Sequence, residues 1–121
     1  MDKLIMALIP LLIQVESGGE IDAIGDGGLA VGILQIHPIV VDDVNRIQKT
    51  ERFTYDDRYN RRKSSRMCQI YLTHYGQVYK KKTGQKANMD VLAAIWNGGP
   101  NGWKKESTKQ YINKIKKASK K

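Results

Sequence analysis

The chain has 121 residues, enough for one domain with a single buried core and too few for two. An apolar share of 40% and a charged share of 27% are ordinary for a folded globular protein and exclude a disordered chain. A formal net charge of +9 favours polyanionic partners (cell-wall polymers, nucleic acid or anionic lipid) without choosing among them, and the single cysteine, Cys68, excludes an internal disulfide.

Lys3 followed by the apolar run Leu4 to Ile13 has the outline of an export signal. The run leads straight into Glu16 with no small-residue cleavage site between them, and it is too short to span a bilayer, so it is read as a first buried helix, Leu4 to Val15. Pro10 lacks the N–H donor and crowds the preceding turn, at about 3 kcal/mol in a helix interior. The segment is therefore either one helix kinked near Met6 or two pieces with Pro10 opening the second, and one kinked helix is preferred. Its apolar character nearly all round implies burial against several neighbours. Gly18 and Gly19 supply the positive φ that ends it.

From Ile21 to Ile36 the composition shifts to glycine and small residues, and a small hairpin turning at Gly25-Asp26-Gly27-Gly28 is expected. Pro38 opens a second helix with Asp42 and Asp43 in its first turn, at the positive end of its dipole. After a connector at 51–55, Asp56 or Asp57 caps a third helix that runs to about Tyr79. Its polar face carries Arg58, Arg61, Arg62, Lys63 and Arg66, and Cys68 is a small buried side chain within it. Gly84 stops it. Asn88 or Asp90 opens a short apolar helix through Trp96, ended by Gly98-Gly99-Pro100. The hydroxyl of Ser107 or Thr108 caps the last helix, which sets Tyr111, Ile112 and Ile115 on one face. The domain spans residues 1–116, and the lysine-rich residues 117–121 form a frayed basic tail. There is no internal repeat and no dividing linker.

One charge is oddly placed. Glu16 ends a strongly apolar run and is followed at once by Ser17-Gly18-Gly19. A carboxyl group held against apolar walls has its ionised form disfavoured, so it can carry a proton near neutral pH and act as a general acid. Gln35, polar among Ile33, Leu34 and Ile36, must find partners if buried, either a ligand's amide and hydroxyl groups or the backbone. His37 and His74 stand at no metal-ligand spacing, and both are read as structural or surface residues. No phosphate-binding glycine motif follows a strand; neither a metal nor a cofactor is implied.

Glu16-Ser17-Gly18-Gly19, then Gly32-x-x-Gln35-Ile36, then Ala94-Ile95-Trp96-Asn97-Gly98-Gly99-Pro100, then Thr108-x-x-Tyr111-Ile112-x-x-Ile115, resemble the lysozyme superfamily, and within it the branch of soluble lytic transglycosylases and goose-type lysozymes. The blocks stand in that branch's order and cover about Leu4 to Ile115. The resemblance implies a mainly α (α+β) lysozyme-like fold with the small β-region as one wall of a substrate cleft, and cleavage of the β-1,4 bond between N-acetylmuramic acid and N-acetylglucosamine in peptidoglycan glycan strands. It implies Glu16 as the acid, with Ser17, Gln35, Ile36, Trp96, Asn97 and Tyr111 binding substrate or shaping the cleft, and Tyr111 pointing near Glu16. Trp96 departs from the family's tyrosine, keeping the stacking face and losing the hydroxyl. Asp26 departs too, standing close to where many transglycosylases carry a serine.

The second group decides the reaction. Hydrolysis needs a further carboxylate, as base or as nucleophile. Lytic transglycosylases, as the resemblance implies, use the same Glu as acid and then base and form a 1,6-anhydro product. Asp26 is the candidate for a hydrolytic role, with Asp22 behind it, and a plain turn residue is the competing reading of each. A basic, non-catalytic nucleic-acid or wall-binding module is the alternative of another class, and it leaves Glu16, Gln35 and Asn97 without a reason. A degenerate lysozyme fold kept as a structural part is argued against by the intact Glu16. A monomer without a membrane-spanning segment is expected. The missing export signal points to a phage lysis or virion-associated enzyme acting on the bacterial wall from the host cytoplasm or the particle.

Overall fold

A computed structural model describes residues 2–120, among which there are five α-helices and one two-stranded antiparallel sheet. Helix α1 spans Lys3–Ser17 as one helix with Pro10 inside it. Asp2 caps it, its Oδ1 accepting from the Leu4 N–H at 2.8 Å. Its buried residues are Ile5, Leu8, Ile9, Leu12 and Ile13, the i, i+3, i+4 stripe of a helix with one face in the core, while Pro10 lies on the exposed side. Gly18 closes it in the left-handed region at φ 66°, donating to the Gln14 and Ile13 carbonyls.

Strands β1 (Ile24–Gly25) and β2 (Ala30–Val31) form the expected hairpin, with Ile24 opposite Val31 and Gly25 opposite Ala30. A single 3₁₀ turn, Asp26–Gly28, joins them. A further bridge pairs Val31 with Ile36, so residues 30–36 fold back as a tight loop against the protein.

Helix α2 (Pro38–Ile47) begins at Pro38 itself, so Asp42 and Asp43 lie beyond its first turn rather than within it. Each has a side-chain partner there: Tyr55 donates its hydroxyl to Asp42 at 2.8 Å, and Arg46 and Tyr75 both bond Asp43. Asp57 does not cap the third helix. With Thr54 it forms a capping box on the 3₁₀ turn Tyr55–Tyr59, and Asn60 is the residue that caps α3 (Arg61–Thr83). Arg58 is correspondingly not on the basic face of α3 but buried, at 9% exposure. Its guanidinium donates to the carbonyls of Tyr55, Leu29 and Ile36 at 2.8, 3.0 and 2.9 Å.

Ser64, Met67, Cys68, Tyr71, Leu72 and Tyr75 form the buried stripe of α3, which Gly84 ends. Helix α4 (Met89–Gly98) is capped by Asn88 and buries Leu92 through Ile95. A 3₁₀ turn at Gly102–Lys104, unmarked in the sequence, packs on α4. Helix α5 (Lys109–Ser119) buries Tyr111 and Ile115. The Thr108 hydroxyl does not cap it; it donates back to the Gly102 and Lys105 carbonyls instead, at 3.0 and 2.9 Å. The helix also runs past Lys116 to Ser119, so the residues expected to fray are largely helical, and Lys121 lies outside the described residues.

Helix α1 is the axis of the core, packing against α3, α4 and α5, while α2 lies on α3. No described helix is long and apolar enough to cross a membrane. The arrangement is mainly α with a small β-hairpin to one side, as the sequence led one to expect.

Candidate active site

The buried stripe of α1 runs 5, 8, 9, 12, 13, and its next position is 16. Helical periodicity thus carries Glu16 to the same side as the core residues, at the point where the helix runs out of core and meets a cleft. The side chain is half-buried. Burial is the largest influence on it and raises its pKa above the ordinary carboxyl value. The Tyr111 hydroxyl donates to Glu16 Oε2 at 2.6 Å and works the other way, favouring the ionised form. The Asp26 charge raises the pKa, and those of Lys114 and His37 lower it. Glu16 also stands in the last turn of α1, where the carbonyl end of the helix dipole disfavours a negative charge and that turn itself carries no basic residue.

The cleft has a deep part of about 180 Å³ lined by Glu16, Gly25, Asp26, Gln35, Ile36, His37, Val40, Trp96 and Asn97. It opens into a broader groove of about 630 Å³ that shares His37, Val40, Trp96 and Asn97 and adds Ile39, Asp42, Asp43, Arg46, Tyr71, Gly99 and Pro100. The hairpin and its return loop, α2 and the C-terminal end of α4 make most of the walls, with Glu16 from α1 and Tyr71 from α3 completing them. Trp96 meets Tyr71 edge to face at 5.6 Å between ring centroids, which fixes the indole as a wall of the groove. Asn97 beside it is exposed.

The return loop is held in place by its own bonds. Gln35 has a positive φ of 51°, and its amide nitrogen donates to the Ala23 and Gly32 carbonyls, both at 3.0 Å. Both partners are acceptors, so the NH₂ group must face them and the amide oxygen is left toward Gly25 and the deep pocket. The backbone partner foreseen for Gln35 is therefore present, and one acceptor remains for a ligand. Gly32, at φ 84°, passes so close to the 3₁₀ turn that a Cβ there would fall 2.0 Å from the Arg58 carbonyl oxygen.

Glu16, Asp26, Gln35, Trp96 and Asn97 line the deep pocket together, and Tyr111 reaches it through Glu16. Ile36 borders it but is 1% exposed, so its side chain belongs to the core. Ser17 is not among the lining residues: its hydroxyl donates to Ile33 O at 2.7 Å and accepts from the Gly19 N–H at 3.0 Å, tying the end of α1 to the return loop. Asp22 is exposed and does not line the cleft. His37, read from sequence as a structural or surface residue, is in the cleft with Nε2 2.8 Å from Asp26 Oδ2. Its signal is positional: it directly follows Gln35-Ile36, so the return loop that brings Gln35 to the pocket brings His37 too. Cys68 is fully buried, and burial pushes its thiol pKa well up, so it is an unreactive core side chain. No group of three or more potential metal ligands occurs among the described residues.

A helical domain with a half-buried carboxyl group in a cleft walled by a small β-hairpin and an aromatic-amide pair defines a lysozyme-like glycan-cleaving protein. The family model for the transglycosylase SLT domain matches residues 1–119, and the chain belongs to that family. It is accordingly a peptidoglycan-cleaving enzyme of lytic transglycosylase or lysozyme type. A search among curated proteins returned no match.

Proposed function

We propose that the chain is a muramidase that hydrolyses the β-1,4 bond between N-acetylmuramic acid and N-acetylglucosamine, with Glu16 as general acid. The observation that carries this reading is the half-buried Glu16 carboxyl group in the cleft, raised in pKa by its burial and oriented by the Tyr111 hydroxyl at 2.6 Å. Protonation of the leaving oxygen requires a carboxyl group that holds its proton more tightly than an ordinary one, and burial at the end of α1 acts in that direction. Trp96 gives a sugar ring a face to stack on, and Asn97 and the free oxygen of Gln35 offer hydrogen bonds to hydroxyl and N-acetyl groups.

One observation favours a lytic transglycosylase instead: Asp26, the other carboxylate of the deep pocket, is already bonded to His37 and is not a free second carboxylate. Mass spectrometry of muropeptides released from purified peptidoglycan separates the two. Reducing muramic acid ends are the expected products; ends lighter by one water, the 1,6-anhydro form, would establish the transglycosylase. Glu16→Gln should release neither, and release at the wild-type rate would remove Glu16 from the chemistry.

A further inference from the structure

Hydrolysis needs a group that takes a proton from water, and the deep pocket holds one that is neither a lone aspartate nor part of the Glu16 machinery. Asp26 stands at the hairpin tip with φ 49°, and its Oδ2 lies 2.8 Å from His37 Nε2. An ionised carboxylate only accepts hydrogen bonds, so a neutral His37 ring facing it places its proton on Nε2 and leaves the lone pair on Nδ1. Nδ1 makes no hydrogen bond to protein among the described residues. The ring lines both the deep pocket and the outer groove, and 37% of the side chain is exposed, so water reaches it. The deep pocket that it shares with Glu16, at about 180 Å³, is large enough to hold water.

We propose that His37 is the general base of the hydrolytic step and that Asp26 is a positioning residue that fixes its tautomer. The inference rests on the muramidase reading above. In the step, the bond between the anomeric carbon and the glycosidic oxygen breaks, its electron pair stays with the oxygen, and the Glu16 proton goes to that oxygen. A water oxygen bonds to the anomeric carbon while one water proton passes to His37 Nδ1. The products are a sugar with a new anomeric hydroxyl and a sugar with a restored hydroxyl, leaving Glu16 ionised and the imidazole cationic beside the Asp26 carboxylate. Return of the proton from His37 to Glu16 through solvent resets the site. Orientation of an imidazole by a carboxylate is a general device for holding one tautomer against a reacting group.

The position suits substitution. His37 precedes α2 in extended conformation, and its side chain makes no capping bond to the helix. The test compares wild type, His37→Gln, Asp26→Asn and Glu16→Gln on purified peptidoglycan in ¹⁸O-labelled water, with muropeptides read by mass spectrometry and folding by thermal melting. Wild type should give labelled reducing ends, and His37→Gln should lose them by about 100-fold or more, the scale of a general base, with its melting temperature unchanged. Asp26→Asn should lower kcat for labelled product with KM unmoved, and added imidazole should restore labelled product to His37→Ala. Labelled ends from His37→Gln at the wild-type rate, or no imidazole rescue of a folded His37→Ala, would overturn the assignment while leaving Glu16 in place. Unlabelled anhydro ends from wild type would overturn hydrolysis and this inference together. Glu16→Gln at full activity would instead sink the reading on which it rests.

Discussion

Glu16 and Tyr111 form a contact in which two effects oppose each other, and the balance is testable. Burial favours the protonated acid, the tyrosine hydroxyl favours the carboxylate, and burial is the larger. A carboxyl group whose pKa is raised by folding costs the folded state nothing while both states are protonated, and destabilises it as pH rises through the raised value. Glu16→Gln should therefore raise the melting temperature at pH 7 while abolishing lysis, and the gain should vanish at about pH 4, near the unperturbed carboxyl range. An equal gain at both pH values would mean that desolvation of the charge is not its source. Tyr111→Phe removes the donor that supports the ionised form, so the Glu16 pKa should rise further. The alkaline limb of the lytic rate should then move to higher pH, and a limb that stays or moves down would contradict the balance described.

Among the elements, the hairpin wall is the most dependent on one side chain. Arg58 bonds the carbonyls of Leu29 and Ile36, on the two sides of β2, to the turn that precedes α3. Arg58→Met would leave buried acceptors without a charged donor and should cost about 3 kcal/mol in urea unfolding, with loss of lytic rate as the wall loosens. Gly32 and Gly84 give a matched pair. Both have positive φ, so an alanine at either meets the left-handed penalty of about 1–2 kcal/mol. At Gly84 nothing lies within 4 Å of the new Cβ, whereas at Gly32 it falls 2.0 Å from the Arg58 carbonyl. Gly32→Ala should therefore destabilise well beyond Gly84→Ala by thermal melting, and equal losses would mean that the close approach relaxes freely. These locks mark where sequence reading stops. Helix α1 as an apolar helix, the glycine stops and the hairpin follow from local composition and turn chemistry and are legible, whereas a run apolar nearly all round hides that only one face of α1 is buried. Arg58 reads as one more cation in a basic run, because nothing local says that two carbonyls far along the chain require it. Asn60 is hidden behind Asp57 because a 3₁₀ turn and a helix begin within a few residues of each other, each with its own cap. In the cleft, Glu16 is legible as a charge out of place, and His37 is not, since a lone histidine carries meaning only when its neighbour across the hairpin is known.

Across the whole molecule, charge is segregated. The chain carries +9 overall, yet the cleft is lined by Glu16, Asp26, Asp42 and Asp43 against a single Arg46 of fixed charge. The positive excess therefore lies outside the cleft, including exposed Arg61 and Arg62 at the start of α3. Such a distribution attracts the molecule to an anionic wall without placing cations against the sugar. Lysis of whole cell walls should fall as salt shortens the screening length from about 30 Å at 0.01 M to about 8 Å at 0.15 M, while cleavage of short uncharged glycan fragments should hardly change. A rise in wall lysis with salt would refute that account of the charge. The contact between Tyr111 and Glu16 has another consequence, because it joins residues 95 positions apart. Within this domain α1 is synthesised before Tyr111, so a partly made domain has the Glu16 carboxyl group without the hydroxyl that orients it. On the proposed reading of Glu16, the site is complete only once α5 has been added to the domain.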